Sequence, residues 1–364
     1  MTKELRMMNW PVRLPSNMFT GFLMINHPPV EGACEFGWGA EPENVSDEFL
    51  NSLCDYFEER LKTESLDAGS MEWDAIVPTH AEFVEMLKNR DLDQLRFYLR
   101  HMFTKPLCHG TAQGNYFYDR LIKNVDEIQR NTGFAIYDKF LTLMEANAII
   151  PSFSPEEFQT KNDFLKFYTI DPDDYMDMLE RTFDCDLSAP KYQGNHFGIQ
   201  TQRHGLYSDR DIMALGVAIH IKQSYWDRKD ISICDIGGGV GYLAYWLNKL
   251  GFENVTYIDL PTITISAMYF LHTNGIENVV FLNPDQFDGD YDVVVNFDGI
   301  TTYGEKAARG YLDKVAKNGK HFLSVNREID EYRVCEVTDM RRISRNPFWL
   351  RRGYITEDYV TEKK

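Results

Sequence analysis

ISICDIGGGVGYLAYWLNKLGFENVTYIDLP, residues 231–261, reads as strand, glycine turn, helix, strand. Ile231 to Ile236 is a short β-branched apolar run without polar alternation, the pattern of a strand covered on both faces in a parallel sheet. Gly237, Gly238, Gly239 and Gly241 break that run. Tyr242 to Leu250 then has helical spacing and stops at Gly251, a good terminator. A turn without Cβ atoms lets a ligand approach the backbone, and the helix behind it presents unpaired N–H groups. The second strand, Val255 to Ile258, ends at Asp259. It lies roughly 20 residues past the turn, the offset at which a carboxylate accepts hydrogen bonds from a ribose diol. The stretch therefore predicts the nucleoside-binding half of a doubly wound sheet.

The glycine spacing separates two kinds of nucleoside. A dinucleotide fingerprint needs Gly-x-Gly-x-x-Gly, and Tyr242 stands where its third glycine should fall. What stands instead is Asp235, x, Gly237, x, Gly239, x, Gly241, which resembles motif I of the class I methyltransferases that use S-adenosylmethionine (SAM) and release S-adenosylhomocysteine (SAH). That resemblance implies that the loop passes the methionine part of the cofactor, that Asp235 holds its ammonium, and that Asp259 binds the ribose hydroxyls. An NAD-dependent oxidoreductase remains the alternative enzyme.

Outside this stretch the chain divides. Residues 1–185 predict a mainly α-helical N-terminal domain, with loop to about residue 45 and no sheet. Its helices are a Ser46-capped one through Leu61, then Ala81 to Asn89, Asp91 to Phe103, Tyr116 to Asn131, Tyr137 to Ala148, Pro155 to Phe167 and Pro172 to Phe183. Residues 186–230 form a low-periodicity connector followed by a Ser208-capped helix, Asp209 to Trp226. Residues 231–364 continue the alternation with a helix at Thr262 to Thr273, strands at Asn278 to Leu282 and Tyr291 to Val295, a helix at Lys306 to Ala316 and a strand at Lys320 to Val325. Strands at Arg333 to Val337 and Tyr354 to Val360 follow. The fold class is α/β, a Rossmann-like, mostly parallel seven-stranded sheet.

Composition bounds the partners. With 364 residues, 43% of them hydrophobic, the chain can fill a core without staples, and a net charge of −18 argues against nucleic acid as a partner. The six cysteines are dispersed, with no Cys-x-x-Cys and no metal-ligand spacing, so free thiols and no metal cluster are expected. The N-terminus lacks an apolar run of signal-peptide length and no segment reaches membrane-spanning length, so no membrane partner and a cytoplasmic location are expected. A homo-oligomer is left open.

A closer likeness lies in the second half. YQGNHFGI, GLYSDRDIMALG, DIGGGVGYLAYWL, YIDLPTI, YDVVVNFDGIT, GKHFLSVNRE and NPFWLRRGY, in that order over about residues 190 to 360, look like the blocks of a sugar O-methyltransferase family from bacterial surface-polysaccharide gene clusters. The resemblance implies that Asp235, Gly237, Gly239 and Gly241 hold the methionine part, Asp259 and Leu260 the ribose region, Asp285 the adenine end, and Asn296 the neighbourhood of the sulfonium. It implies a carbohydrate or other small hydroxyl compound as acceptor. The chain departs from the family pattern at Gly299 and Thr302-Tyr303, where the family has Ser and then Glu-Met.

Transfer to a hydroxyl calls for a general base. The candidates are His204 and His196 in the connector, Asp298 at the end of the fourth strand of the sheet, and Glu328 after the fifth. His204 ranks first, because an imidazole titrates near neutrality and the connector is expected to cover the cofactor. Arg351 and Arg352 could bind an anionic acceptor, such as a nucleotide sugar or acidic glycan, or pair with the acidic remainder of the chain. His109, between two glycine turns, could line the same pocket. A protein that binds SAM without catalysis is the third reading.

Overall fold

The computed structural model describes residues 35–64, 71–112, 125–150, 171–192, 194, 196–329 and 331–361. The helix expected over Pro155 to Phe167 and the first part of that over Tyr116 to Asn131 lie outside the described residues, as does most of the loop expected at the start of the chain.

A seven-stranded sheet forms the centre. Its members are β4 (Ser232–Ile236), β5 (Asn254–Ile258), β6 (Val279–Leu282), β7 (Tyr291–Phe297), β8 (Gly319–Arg327), β9 (Arg341–Pro347) and β10 (Tyr354–Val360). They lie in the order β6-β5-β4-β7-β8-β10-β9, with the first five mutually parallel. β10 runs antiparallel to both β8 and β9. The chain order reverses between β4 and β7, and it is at such a switch point that open α/β sheets bind ligands. The sheet is α/β and Rossmann-like, as the alternation predicts.

Both faces are covered, which explains the unbroken apolar strands. Val293 and Val295 of β7 enter one buried cluster and Val294 enters another on the opposite face. The larger cluster holds α7 (Asp209–Ser224), α8 (Tyr242–Lys249) and α9 (Pro261–Thr273); the smaller holds α10 (Glu305–Asn318). Ser208 caps α7 in a capping box with Asp211, satisfying N–H groups that the helix itself leaves open.

The preceding helices pack onto this sheet layer. They are α1 (Asp47–Leu61), α2 (Met71–Ile76), α3 (Ala81–Asn89), α4 (Leu92–Arg100), α5 (Val125–Ala146) and α6 (Pro172–Phe183). Ser46 caps α1 by accepting from Phe49 N at 3.1 Å, and Asp91 caps α4. α1 lies against α9, with Phe49 stacked on His272 at 3.7 Å between ring centroids. Its buried Arg60 donates to the Asp259 carbonyl at 2.8 Å. Leu50 and Leu350, from opposite ends of the chain, belong to one cluster.

Four expectations are corrected. β1 (Glu35–Trp38), β2 (Phe197–Gln200) and β3 (Leu206–Ser208) make a three-stranded antiparallel sheet where loop was expected. β2 and β3 show no alternation because Phe197 to Ile199 and Leu206 to Ser208 are buried throughout. Second, α5 runs unbroken through Gly133. A Cβ there would come within 2.7 Å of the Phe36 ring on β1, so that glycine makes room rather than a break. Third, Val334–Val337 is one helical turn, closed by Glu336 accepting from Arg333 N. Fourth, Arg341–Pro347, an arginine-rich stretch given no element in the sequence reading, is edge strand β9.

Gly198 sits in the middle of the small sheet, where a Cβ would collide with the Tyr207 carbonyl. Gly198→Ala is expected to cost about 1 to 3 kcal/mol, the range for overpacking. Denaturant unfolding of the variant beside wild type measures it.

Candidate functional site

The cleft opens at the C-terminal ends of β4, β5 and β7. β4 delivers Asp235 and β5 delivers Asp259, with Asp235 in register with Tyr257 and Ile236 with Ile258. The turn between β4 and α8 is built on Gly237, Gly239 and Gly241, at φ 71°, 59° and 97°, a region that favours glycine. Gly237 N donates to the Ile258 carbonyl at 2.8 Å, pinning the turn to β5. A Cβ on Gly238 would meet the Tyr257 ring, and one on Gly237 would meet Tyr303 Oη at 2.7 Å. The turn is thus a bare backbone ledge walled by aromatic side chains.

Its electrostatics are unusual. Asp235 is wholly buried and neither carboxyl oxygen has a hydrogen-bond partner. Desolvation, with Asp259 nearby, pushes its pKa up to about 8. Asp259 accepts from Gly239 N at 2.8 Å and from its neighbour Leu260 N at 2.7 Å. Burial raises it to about 6 in spite of those bonds. Two neighbouring carboxyls beside a glycine turn suit a cationic ligand that also carries hydroxyl groups.

The other end of the cleft is basic. Asp298, at φ 58° after β7, accepts on Oδ2 from Arg210 Nη1 at 2.6 Å and from Arg351 Nη1 at 2.5 Å, and on Oδ1 from the Tyr354 hydroxyl. Burial disfavours its charge, but the two guanidiniums prevail and hold the carboxyl below the usual range. Trp73 of α2, with Gly110 and Thr111, brings the N-terminal half to the rim. Trp73 Nε1 donates to Thr302 Oγ1 at 3.0 Å.

The residues singled out in the sequence are distributed as follows. Asp235, Gly237, Gly239, Asp259, Leu260 and Asp298 line the cleft. Gly241 turns the chain into α8. Asn296 stands behind the lining, donating to the Ile236 carbonyl and accepting from Ile300 N, both at 2.7 Å, so it braces the turn. Asp285 points to solvent near Lys314, while its neighbour Pro284 lines the cleft. His196 is fully buried behind Tyr242, its Nδ1 2.7 Å from that hydroxyl. Burial pushes its imidazole down to about 3.

His204 is not at the cleft. Its Nε2 lies 2.8 Å from Asp177 and its Nδ1 3.3 Å from Glu180, which fastens the 201–205 turn to α6. Asp177, Glu180 and His204 are also the one group among the described residues whose ligand atoms lie within 4.8 Å of one another, a grouping hidden by their separation in sequence. Asp177 also pairs with Arg203 at 2.9 Å. Glu328 pairs with Arg345 at 2.5 Å, outside the cleft. Arg352 and His109 are exposed and do not line it, although Gly110 and Thr111 beside His109 do.

Residues that the sequence reading did not assign complete the wall: Trp73, Thr111, Arg210, Tyr242, Tyr303 and Tyr311. Arg210 and Tyr242 lie inside quoted blocks, and Tyr303 is part of the departure noted there. Trp73 carried no signal, because only folding brings α2 to the sheet.

The fold and cleft define a Rossmann-like α/β protein with a cleft at the switch point of its sheet. No family model matches the sequence, and no curated protein matches it. The chain is similar in structure to magnesium protoporphyrin IX methyltransferase (ChlM) from Synechocystis PCC 6803 with bound SAM, at 16% identity over 42% of this chain and 80% of that one, with a TM-score of 0.36. It is similar to the glycopeptide N-methyltransferase MtfA complexed with SAH, at 14% identity over 40% and 89%, TM-score 0.35. A third is the ribosomal protein L11 methylase of Lactobacillus delbrueckii subsp. bulgaricus, at 13% identity over 42% and 80%, TM-score 0.35. The strand order and the glycine turn, not these likenesses, carry the fold. Among the described residues no helix is long and apolar enough to cross a membrane.

Asp235 makes stability pH-dependent with a definite sign. An unfolded Asp ionises near pH 4, whereas this carboxyl, at about 8, keeps its proton through neutrality. The folded state binds the extra proton, so the contribution of Asp235 to stability falls as pH rises from about 4 to about 8, while buried His196 and His80 act in the opposite sense below about 6.5. Asp235→Asn is expected to remove most of that slope, melting above wild type at pH 8 and level with it near pH 4. Thermal melts across that range provide the check.

Proposed function

We propose that this chain is an SAM-dependent O-methyltransferase acting on a hydroxyl of a sugar, nucleotide sugar or glycan. The observation that carries the cofactor assignment is Asp235: a buried carboxyl, hydrogen-bonded to nothing, beside a turn bare of side chains. An ammonium answers that carboxyl, and the same ligand's ribose answers Asp259. SAM has both groups. A nicotinamide dinucleotide would instead bring its pyrophosphate to this turn and leave Asp235 without a cation to answer it. The acceptor assignment rests on the ordered residue blocks of the second half.

When bound, SAM supplies a methyl group made electrophilic by its positive sulfur. Asp235 would hold its ammonium, the Gly237–Gly239 backbone the methionine part, and Asp259 and Leu260 the ribose. Asn296 keeps the turn in place through Ile236. Tyr303 and Tyr311 wall the cleft and exclude water.

An acceptor hydroxyl must also lose a proton. Asp298 is poorly suited, since Arg210, Arg351 and the Tyr354 hydroxyl occupy both of its oxygens. Tyr242 lines the cleft, and its Oη is 2.7 Å from Nδ1 of His196. In this reading Tyr242 Oη takes the acceptor's proton as it passes its own to His196 Nδ1. The site begins with one positive charge and ends with one, now on the imidazole. Burial disfavours that imidazolium, and the loss of the sulfonium charge in the same step offsets part of its cost.

Calorimetry tests the cofactor. SAH is expected to bind wild type, Asp235→Asn to weaken it at least tenfold, and NAD to give no heat; no heat with SAH from folded protein would sink the proposal. Turnover against a panel of nucleotide sugars and glycans tests the relay. Tyr242→Phe should lower kcat by about 100-fold or more, the scale of general-base catalysis, with SAH affinity unchanged.

A further inference from the structure

Two arginines meet one carboxylate at the acceptor end of the cleft. Arg210 arrives from the first turn of α7 and Arg351 from the loop between β9 and β10, and both give Nη1 to Asp298 Oδ2. One positive charge is left over. Asp209, next to Arg210 in the chain, offsets part of it, but it also pairs with Lys139. Asp211 accepts from Ser208 N and Ser208 Oγ at the cap of α7.

The other C-terminal arginines behave differently. Arg342 and Arg345 are answered by Glu357, and Arg345 also by Glu328. Ion pairing with an acidic chain of net charge −18 accounts for them. It does not account for Arg210, which lines the cleft with only 18% of its side chain exposed and shares Asp298, the carboxylate it hydrogen-bonds, with a second cation. A partly desolvated, half-compensated guanidinium is costly unless an anion meets it. The bond to Asp298 occupies Nη1, and a guanidinium carries five N–H donors in a planar fork suited to oxyanions.

We infer that the acceptor carries an oxyanion, a carboxylate or a phosphate, bound by Arg210 with Arg351 beside it; this rests on the methyltransferase reading above. Asp298 is the fixed counter-ion that aims both guanidiniums, which is why its backbone is held in the left-handed region. Arg210 and Tyr242 line the same cleft, so an anion held on Arg210 keeps the acceptor in the cleft that Tyr242 faces.

Calorimetry on the SAH-loaded full chain with three probes tests this: methyl glucoside, which is neutral, methyl glucuronoside, which carries a carboxylate, and UDP-glucose, which carries phosphates. At least one anionic probe should bind tenfold or more tighter than the neutral one and weaken as salt is raised; which of the two does so names the source of the oxyanion. Arg210→Gln should lower that affinity tenfold or more, with Arg210→Lys, which keeps the charge and loses the fork, in between. SAH affinity should stay within twofold in both variants, which also shows that they fold. Equal binding of the neutral probe, no binding of any probe, or unchanged anion affinity in Arg210→Gln overturns the inference. If SAH still binds in those cases, the methyltransferase reading stands; if wild type fails to bind SAH, both fall.

Discussion

The molecule is arranged around two neighbouring carboxyl groups, Asp235 wholly buried and Asp259 half-buried. Asp235 and Asp259 end neighbouring parallel strands, and the register that sets Ile236 against Ile258 brings them to one glycine turn. Each would be more stable in water. They are kept inside because the strands bearing them are covered on both faces, and because Arg60, reaching from α1, clamps the Asp259 carbonyl from the far side. The resulting cost is concentrated where a cationic ligand can relieve it.

From that point the cleft is polarised along its length. The acidic end lies over β4 and β5; the basic end lies where α7 and the turn before β10 converge on Asp298. Between them stand Tyr242 and Tyr303, both with hydroxyls pushed well above their usual range by burial, hence neutral. A ligand pair with a cation at one end and an anion at the other would match this field at both ends. The Tyr242 hydroxyl also lies 2.7 Å from Nδ1 of His196, a contact that only a neutral imidazole can make as an acceptor.

The N-terminal half serves the site as well as the fold. α1 supports Asp259, α2 supplies Trp73, and the short segment before residue 112 sets Thr111 over Gly239. These contacts cross from helices early in the chain to strands more than a hundred residues later. They make the first half part of the cleft wall.

Local pattern was enough for the central strands, the glycine turn, the caps at Ser46 and Ser208, and the pairing of Asp235 with Asp259, because each rests on spacing within about thirty residues. It was not enough for β1 with β2 and β3, since β1 is partly exposed and the short β2 and β3 are buried almost throughout without alternation, nor for β9, an edge strand of mostly exposed residues. The histidines show the limit most clearly. His204 and His196 are chemically identical in sequence, eight positions apart in one connector. Folding clamps one between carboxylates of α6 and seats the other behind Tyr242. Residue type and spacing determined which backbone would form a nucleoside turn; only three-dimensional packing decided which side chains face it, because direction depends on neighbours brought from distant parts of the chain.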